Sequence, residues 1–253
     1  MLDLWLSSNT LVIVLAPFVV LYSIAHFIGW ITHRSPARPY FASCIGIAGP
    51  YFASVAILFG LFAAFLGNDV QRRGANAEAA VFREADGIGT ILRLSEAAGK
   101  DADQIKAEAL TYLKFVLDEE LPKMRKRGAA PNKLGKERNL SLAIMTASLA
   151  PAAQTAMIGA LVTVREARLE RRTLSGDSSS PLAWFAVIAL GVLTQIAIAV
   201  VQLDKPRPQT LALFVFTTAF ALTVALIAVG ERPFSGRTID DEPLREALAS
   251  AGV

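Results

Sequence analysis

Four long apolar runs alternate with polar segments along the chain, and this pattern predicts a membrane protein. Crossing the hydrocarbon core of a bilayer takes about 20 apolar residues in a helix. Four windows reach that length without an Asp, Glu, Lys or Arg: residues 4–32, 39–68, 178–203 and 208–230. We therefore predict four transmembrane spans, arranged as two hairpins.

Charged residues are concentrated between the second and third runs. The segment 69–177 holds 18 of the 25 Lys and Arg residues and 15 of the 22 Asp and Glu residues. Its apolar residues recur at helical spacing, as at Val81, Ala85 and Ile88. The sequence predicts an all-α protein with four parts: a first transmembrane hairpin (1–68), a soluble helical domain (69–177), a second hairpin (178–230) and a C-terminal tail (231–253).

The second span has no turn signal where it leaves the membrane at Asn68. A helix-forming polar stretch follows as far as Ala98, so we predict one nearly continuous helix that ends at Gly99. Further helices are expected up to about residue 127 and over residues 137–172. Pro122 and Pro151 are expected to kink or end them, because proline lacks the amide proton that a helix needs.

Span two carries two patterns that bear on function. Small residues recur every three or four positions on one face, where helix backbones approach closely: Ala53, Ala56, Gly60, Ala63 and Gly67. A second set, here named the span-two stripe, is Ser54, Leu58, Leu61, Phe65, Asn68, Asp69 and Arg72. Around the axis of an oligomer the stripe would line an apolar constriction that ends in a polar ring. Alternatively, it packs on the other spans of its own subunit.

Two basic segments flank the second hairpin. Arg165, Arg168, Arg171 and Arg172 precede span three, where they either contact lipid phosphates or form a solvated membrane-proximal face. Arg232, Pro233 and Phe234 follow span four. They either dock on the helical domain and gate a pore, or anchor the chain as it leaves the membrane.

Charge and chemistry exclude several classes of function. The net charge is only +3 and acids are mixed with bases, so a nucleic-acid partner is not expected. The histidines are His26 and His33, with no nucleophile and carboxylate at a recognisable spacing, so we expect neither an enzyme nor a cofactor. His26 is either a neutral residue near the headgroups or a proton or ligand site. The acidic run 118–120 is interpreted as a solvated helix end rather than a metal site.

An even number of spans puts both termini and the helical domain on the same side of the plasma (inner) membrane. The positive-inside rule is ambiguous here. Arg34 and Arg38 place the first connector in the cytoplasm and the domain outside, whereas Arg72, Arg73, the arginines of residues 165–172, Arg232 and Arg237 favour the reverse. We expect the helical domain on the periplasmic or exterior side.

The order of these parts resembles a family of prokaryotic and plastid membrane proteins described as bestrophin-like. The resemblance covers nearly the whole chain. It rests on residues 65–69 leading into Arg-Glu-Ala-Asp at 83–86, Tyr112 followed by an acid-then-proline element at 119–122, the Arg-rich segment 166–172 and Arg-Pro-Phe-Ser-Gly at 232–236. Leu121 stands where the family often has Trp. Bestrophins are similar in outline: homo-oligomeric, usually pentameric channels for anions or cations, whose second helices line the pore.

Two functional hypotheses follow. The first is a homo-oligomeric ion channel, of about five subunits, with span two at its pore and membrane lipids around it. The second is a non-conducting accessory protein whose helical domain, residues 69–177, docks a partner complex. It is motivated by the lack of an ionisable residue deep in any span, where a transporter carries its coupling site.

Overall fold

The part of the chain that the structure describes is helical. This computed structural model describes residues 5, 9–36, 39, 50–127, 135–176, 179–231, 233–234 and 239–251. Those residues form helices and the short turns that join them, and they include no strand. The predicted all-α fold is confirmed.

The α-helices among the described residues are α1 (Thr10–His33), α2 (Pro50–Ala98), α3 (Asp103–Phe115), α4 (Leu121–Arg127), α5 (Gly135–Thr146), α6 (Pro151–Gly176), α7 (Pro181–Val201), α8 (Pro206–Gly230) and α9 (Glu242–Ser250). A 3₁₀-helix (Gly99–Ala102) joins α2 to α3, and a π-helix (Val116–Glu120) joins α3 to α4. Helices α1, α2, α7 and α8 are long and apolar enough to cross a membrane, as the sequence predicts.

Helix α2 is the longest element, with 49 residues and no break between Pro50 and Ala98. The predicted continuous helix is therefore confirmed. It ends at Gly99, whose φ of +69° lies in the left-handed region. Glycine adopts this conformation without steric cost, because it has no Cβ, and it is the usual residue at the end of a helix.

The chain divides into two compact units, each described here by itself. The first unit comprises Met1–Gln71 and Ser179–Glu231, and the second comprises Arg72–Ser178 and Arg232–Val253. Helix α2 contributes residues to both units. The C-terminal segment, which the sequence suggested as a separate tail, belongs to the second unit.

The first unit is a set of closely packed apolar helices. Helix α1 packs mainly along α8, and both contact α7. Helices α7 and α8 approach closely at Gly191, where an added Cβ would lie 2.1 Å from the Phe220 ring. Polar side chains join the same helices, because Gln195 Nε2 donates to Thr217 Oγ1 (2.8 Å) inside the apolar core.

The second unit has its own apolar core. It combines the second-unit part of α2 with α3 to α6, and α9 closes one side through the buried Leu244. Core residues of α6 follow a four-and-three spacing at Met157, Leu161 and Val164. The same spacing recurs among the core residues of α2, which include Ala77, Val81, Ile88 and Ile91. This spacing is that of helices packed side by side.

Candidate functional site

The span-two stripe is exposed along its length in the single chain. Its apolar members Leu58, Leu61 and Phe65 have 44%, 45% and 62% of their surface accessible. Its polar members are exposed as well: Ser54, Asn68 and Asp69 in the first unit and Arg72 in the second. The exposure of Leu58, Leu61 and Phe65 contradicts the alternative that these apolar residues pack on the other spans of their own subunit.

The opposite side of α2 packs inside the first unit. Ala63, Leu66 and Val70 are buried in one cluster with Phe220 of α8. Each residue advances a helix by about 100°, which places these residues roughly half a turn away from the stripe. This part of α2 therefore has one face committed to its own subunit and the other face uncovered.

The predicted small-residue face is divided between these two environments. Ala63 is buried, and an added Cβ at Gly67 would lie 3.7 Å from Ile227 Cγ1, so α2 and α8 approach closely there. Ala53, Ala56 and Gly60 are exposed. Their part in helix packing stays a prediction.

A buried ionic cluster lies in the core of the second unit. Arg171 of α6 donates to both carboxylate oxygens of Glu84: Nε to Oε2 at 2.7 Å and Nη2 to Oε1 at 3.1 Å. The Tyr112 hydroxyl also donates to Glu84 Oε1, at 2.5 Å. All three side chains are fully buried. A buried carboxylate needs a paired cation and hydrogen-bond donors of this kind, because removing a charge from water is costly.

Glu120 and Glu137 extend the cluster to a second arginine. Glu120 accepts from Arg171 Nη2 (2.8 Å) and from Arg168 Nη2 (2.6 Å). Arg168 Nη1 donates to Glu137 Oε2 at 2.9 Å, and Arg165 Nε lies 2.8 Å from Glu137 Oε1. Three arginines thus face three carboxylates, and their formal charges balance.

A π-helix determines which acid enters this cluster. In a regular α-helix, Glu119 would lie about 20° from the direction of Tyr112, and Glu120 about 80° away. The wider turn Val116–Glu120, closed by the Leu121 amide on the Val116 carbonyl, delays the rotation by about one residue. Glu120 therefore points into the core and Glu119 outwards. The interpretation of residues 118–120 as a solvated helix end is wrong for Glu120.

The arginine-rich segment does not form the predicted lipid-contact surface. Arg168 and Arg171 are 1% and 0% exposed and are held by carboxylates, so their assignment to lipid is wrong. A signal for this was present, because both residues continue the four-and-three spacing of the buried residues 157, 161 and 164. Glu84 likewise falls between the buried positions 81 and 88. Arg165 and Arg172 remain partly accessible, and lipid contact by these two stays a prediction.

Burial and neighbouring charges fix the protonation states of Tyr112 and Arg171. Burial raises the pKa of Tyr112 well above its usual range, and the Glu84 carboxylate raises it further. Burial by itself would lower the pKa of Arg171, but the Glu84 and Glu120 carboxylates outweigh it and raise the pKa above its ordinary value. The tyrosine therefore stays a neutral donor and the arginine stays a cation at physiological pH.

The segment after span four contributes to the second unit. Phe234 is 4% exposed and packs in the core of that unit together with Ile239. Its docking on the helical domain is thus observed, and its role in gating stays a prediction. Pro233 is described beside it, whereas Arg232 lies outside the described residues.

The ionic cluster is a closed structural element rather than an open reaction centre. Each of its carboxylates is bound by at least one arginine. Within the described ranges, no three His, Cys, Asp or Glu side chains are grouped so that they could hold a metal ion. The uncovered stripe of α2 is therefore the more promising functional surface.

Comparisons with known proteins agree with this arrangement of helices. The sequence model of the bestrophin-like domain family matches residues 19–242. A crystal structure of a bacterial bestrophin homologue from Klebsiella pneumoniae is similar, with a TM-score of 0.67 and 14% identity over 94% of this chain and 95% of that chain.

Two further crystal structures share the fold. One, of a membrane protein, has a TM-score of 0.69 and 13% identity over 94% of this chain and 95% of that chain. The other, of a point variant of a Klebsiella pneumoniae bestrophin homologue, has a TM-score of 0.68 and 12% identity over 94% of this chain and 96% of that chain. No curated protein sequence matches the chain.

Proposed function

The chain belongs to the bestrophin-like family of membrane proteins, and from that premise we propose that it forms a homo-oligomeric ion channel in which span two lines the pore. An assembly of about five subunits would bring the α2 helices together around one axis. Membrane lipids would surround the outer spans.

The observation that carries this proposal is the uncovered stripe of α2. A lipid-facing surface would account for Leu61 and Phe65, but it would not favour Ser54, Asn68 and Asp69 on the same side. A helix face with apolar and polar residues in succession is suited to a water-filled path with a constriction. The stripe has that composition, and its residues are exposed in the single chain.

Each part of the stripe would have a distinct role in conduction. Leu58, Leu61 and Phe65 would form rings of apolar side chains, which restrict the passage of hydrated ions by dewetting. Asn68 and Asp69 would form polar rings at the end of the constriction. Phe234, docked on the second unit, is a further candidate for control of the channel.

We place the protein in the plasma (inner) membrane with the second unit and both termini on the periplasmic or exterior side. This rests on Arg34 and Arg38 in the first connector. The test is a single cysteine at the exposed Asp86, in a chain whose Cys44 is replaced by serine. Labelling of intact cells by a membrane-impermeant maleimide is expected. Labelling only after the membrane is opened would show that the second unit lies in the cytoplasm.

Ion flux in reconstituted vesicles tests the pore assignment. Leu61→Ala and Phe65→Ala are expected to increase conductance, because each removes bulk from a constriction. Leu226→Ala in α8 and Phe185→Ala in α7 are matched controls, since they remove the same side chains from positions that are 66% and 69% exposed. The controls are expected to leave conductance unchanged.

Two results would reject the proposal. Unchanged conductance in both stripe variants would show that the stripe does not line the pore. A monomer or dimer by native mass spectrometry of the purified particle would leave no symmetric axis for span two to line. Equal effects of stripe and control variants would indicate a general disturbance of the membrane helices.

The second candidate function, docking of a partner complex, is favoured by exposed apolar side chains on the second unit. Leu142, Met145 and Leu169 are 49%, 58% and 65% exposed. Leu142 and Met145 are three residues apart and so are neighbours on the surface of α5, and grouped apolar residues of this kind mark interaction surfaces. Mild solubilisation should then recover a partner in fixed stoichiometry, and vesicles should show no ion flux.

A further inference from the structure

A cavity of about 600 Å³ lies in the first unit between α1 and α8. It is at the end of α1 and the start of α8. Trp30 and Phe214 form part of its wall and are 46% and 56% exposed. Tryptophan at the end of a span, as at Trp30, is typical of the membrane–water boundary. The cavity therefore lies at the depth of lipid headgroups.

The polar part of the cavity wall is basic. His26, His33 and Arg34 line it, and Arg207 lines a second depression that shares Pro206 with it. Neither set of lining residues includes an Asp or Glu. Within the described part of the chain, Arg34 forms no ion pair. The wall is thus complementary to an anion.

His33 is held in place by its neighbours. Gln209 donates through Nε2 to the Ala199 carbonyl at 2.6 Å, so its Oε1 faces the other way and accepts from His33 Nε2. The Nε2 atom of His33 therefore carries a proton in this arrangement, and its Nδ1 forms no hydrogen bond with the residues that the structure describes. The ring is oriented before any ligand arrives.

Beside its polar lining, which also includes Tyr22, Gln209 and Thr210, the cavity has an apolar part with free space. Ala25 and Leu213 line it beside Phe214. A Cβ added at Gly29 would meet no atom within 4 Å, so the α1 backbone borders open volume there. A ligand that fills the cavity needs a negatively charged head and an apolar chain.

We propose that this cavity binds an acidic phospholipid, with its phosphate beside Arg34 and His33 and an acyl chain along Gly29 and Phe214. Basic pockets between transmembrane helices bind anionic headgroups in this way. The choice of a phospholipid over a soluble anion rests on the apolar half of the wall. The proposal is independent of ion conduction.

Tryptophan quenching by brominated lipid tests the proposal. The full chain with Trp5→Phe and Trp184→Phe keeps Trp30 as its single tryptophan. It is reconstituted into phosphatidylcholine vesicles that contain a minor share of brominated phosphatidylglycerol or, for comparison, brominated phosphatidylcholine. We expect brominated phosphatidylglycerol to be preferred by about fivefold or more, the contribution of one basic residue near a membrane surface.

Two variants should remove this preference. Arg34→Gln deletes the charge, and Gly29→Leu adds a side chain where a Cβ would meet no atom within 4 Å. Arg93→Gln and Gly159→Leu are matched controls in the second unit, at an exposed arginine and at a glycine with no atom within 4 Å of an added Cβ. Native mass spectrometry provides a second readout that needs no tryptophan substitutions. It counts the phosphatidylglycerol molecules that the otherwise unaltered chain retains.

Three outcomes would overturn the proposal. Equal quenching by the two brominated lipids would mean that Trp30 contacts only bulk lipid. A preference that survives both Arg34→Gln and Gly29→Leu would place the binding elsewhere. Loss of the preference on addition of inorganic phosphate would show that the site takes a soluble anion instead.

Discussion

Replacement of Glu120 tests whether the ionic cluster holds the second unit together. Glu120→Gln keeps the shape of the side chain but removes its charge. The amide nitrogen would face a guanidinium, and Arg168 and Arg171 would lose a shared carboxylate that they bind at 2.6 Å and 2.8 Å. Glu84 and Glu137 would remain as their acceptors. The cluster would then carry one uncompensated positive charge.

The expected loss follows from burial. Glu120 and both arginines are no more than 2% exposed at their side chains, so water cannot replace the missing carboxylate. Breaking a buried ion pair from one side costs about 3–5 kcal/mol. We expect a decrease of that size in the free energy of unfolding, measured by denaturant titration in detergent micelles with circular dichroism as the signal.

The adjacent residue provides the control. Glu119 pairs with Lys123 at 2.9 Å, but both side chains are nearly half exposed. Such a surface pair contributes about 0–1 kcal/mol, so Glu119→Gln should have little effect. Equal losses for the two variants, or a loss below about 1 kcal/mol for Glu120→Gln, would refute the reasoning.

Three further outcomes are expected. Tyr112→Phe should lower the free energy of unfolding by about 1.5–3 kcal/mol, because it deletes a hydrogen bond to a buried carboxylate. The pKa of Tyr112 is higher in the folded protein than in the unfolded chain. Its contribution to the free energy of unfolding is therefore complete below about pH 10 and is lost as the pH rises through the folded-state pKa. Alkaline titration should destabilise the wild type more than the Tyr112→Phe variant. Gly191→Ala should lower the free energy of unfolding by about 1–3 kcal/mol in thermal or denaturant unfolding, because the added Cβ would overlap the Phe220 ring. The control Gly159→Ala should leave the free energy of unfolding unchanged or raise it.

The arginines of α6 show how a local interpretation can miss a buried role. A cluster of arginines beside a membrane span usually has a solvated or lipid-facing role, and that interpretation uses composition alone. The four-and-three spacing of residues 157, 161 and 164 places Arg168 and Arg171 on the buried face. A buried arginine needs a buried acid, and the acids lie far away in sequence. Spacing could therefore suggest the burial, but not the partners.

Glu120 could not be identified even from spacing. Its inward position depends on the π-helix ahead of Pro122, and regular helical periodicity selects Glu119 instead. Proline removes the amide that would bond to the carbonyl four residues earlier, which makes a wider turn favourable at this place. The sequence shows the proline but not the particular distortion that accommodates it.

The elements that depend on local properties could be predicted from the order of the residues. Four apolar runs of sufficient length become helices that can cross a membrane, α2 continues through its polar half, and Gly99 ends it. Which helix faces are covered could be seen only after the helices had packed together. This packing left the span-two stripe open, brought Glu84, Glu120 and Arg171 into contact across more than 80 residues of sequence, and formed the cavity beside Arg34. Such pairings depend on the packing of whole helices, and no single segment encodes them.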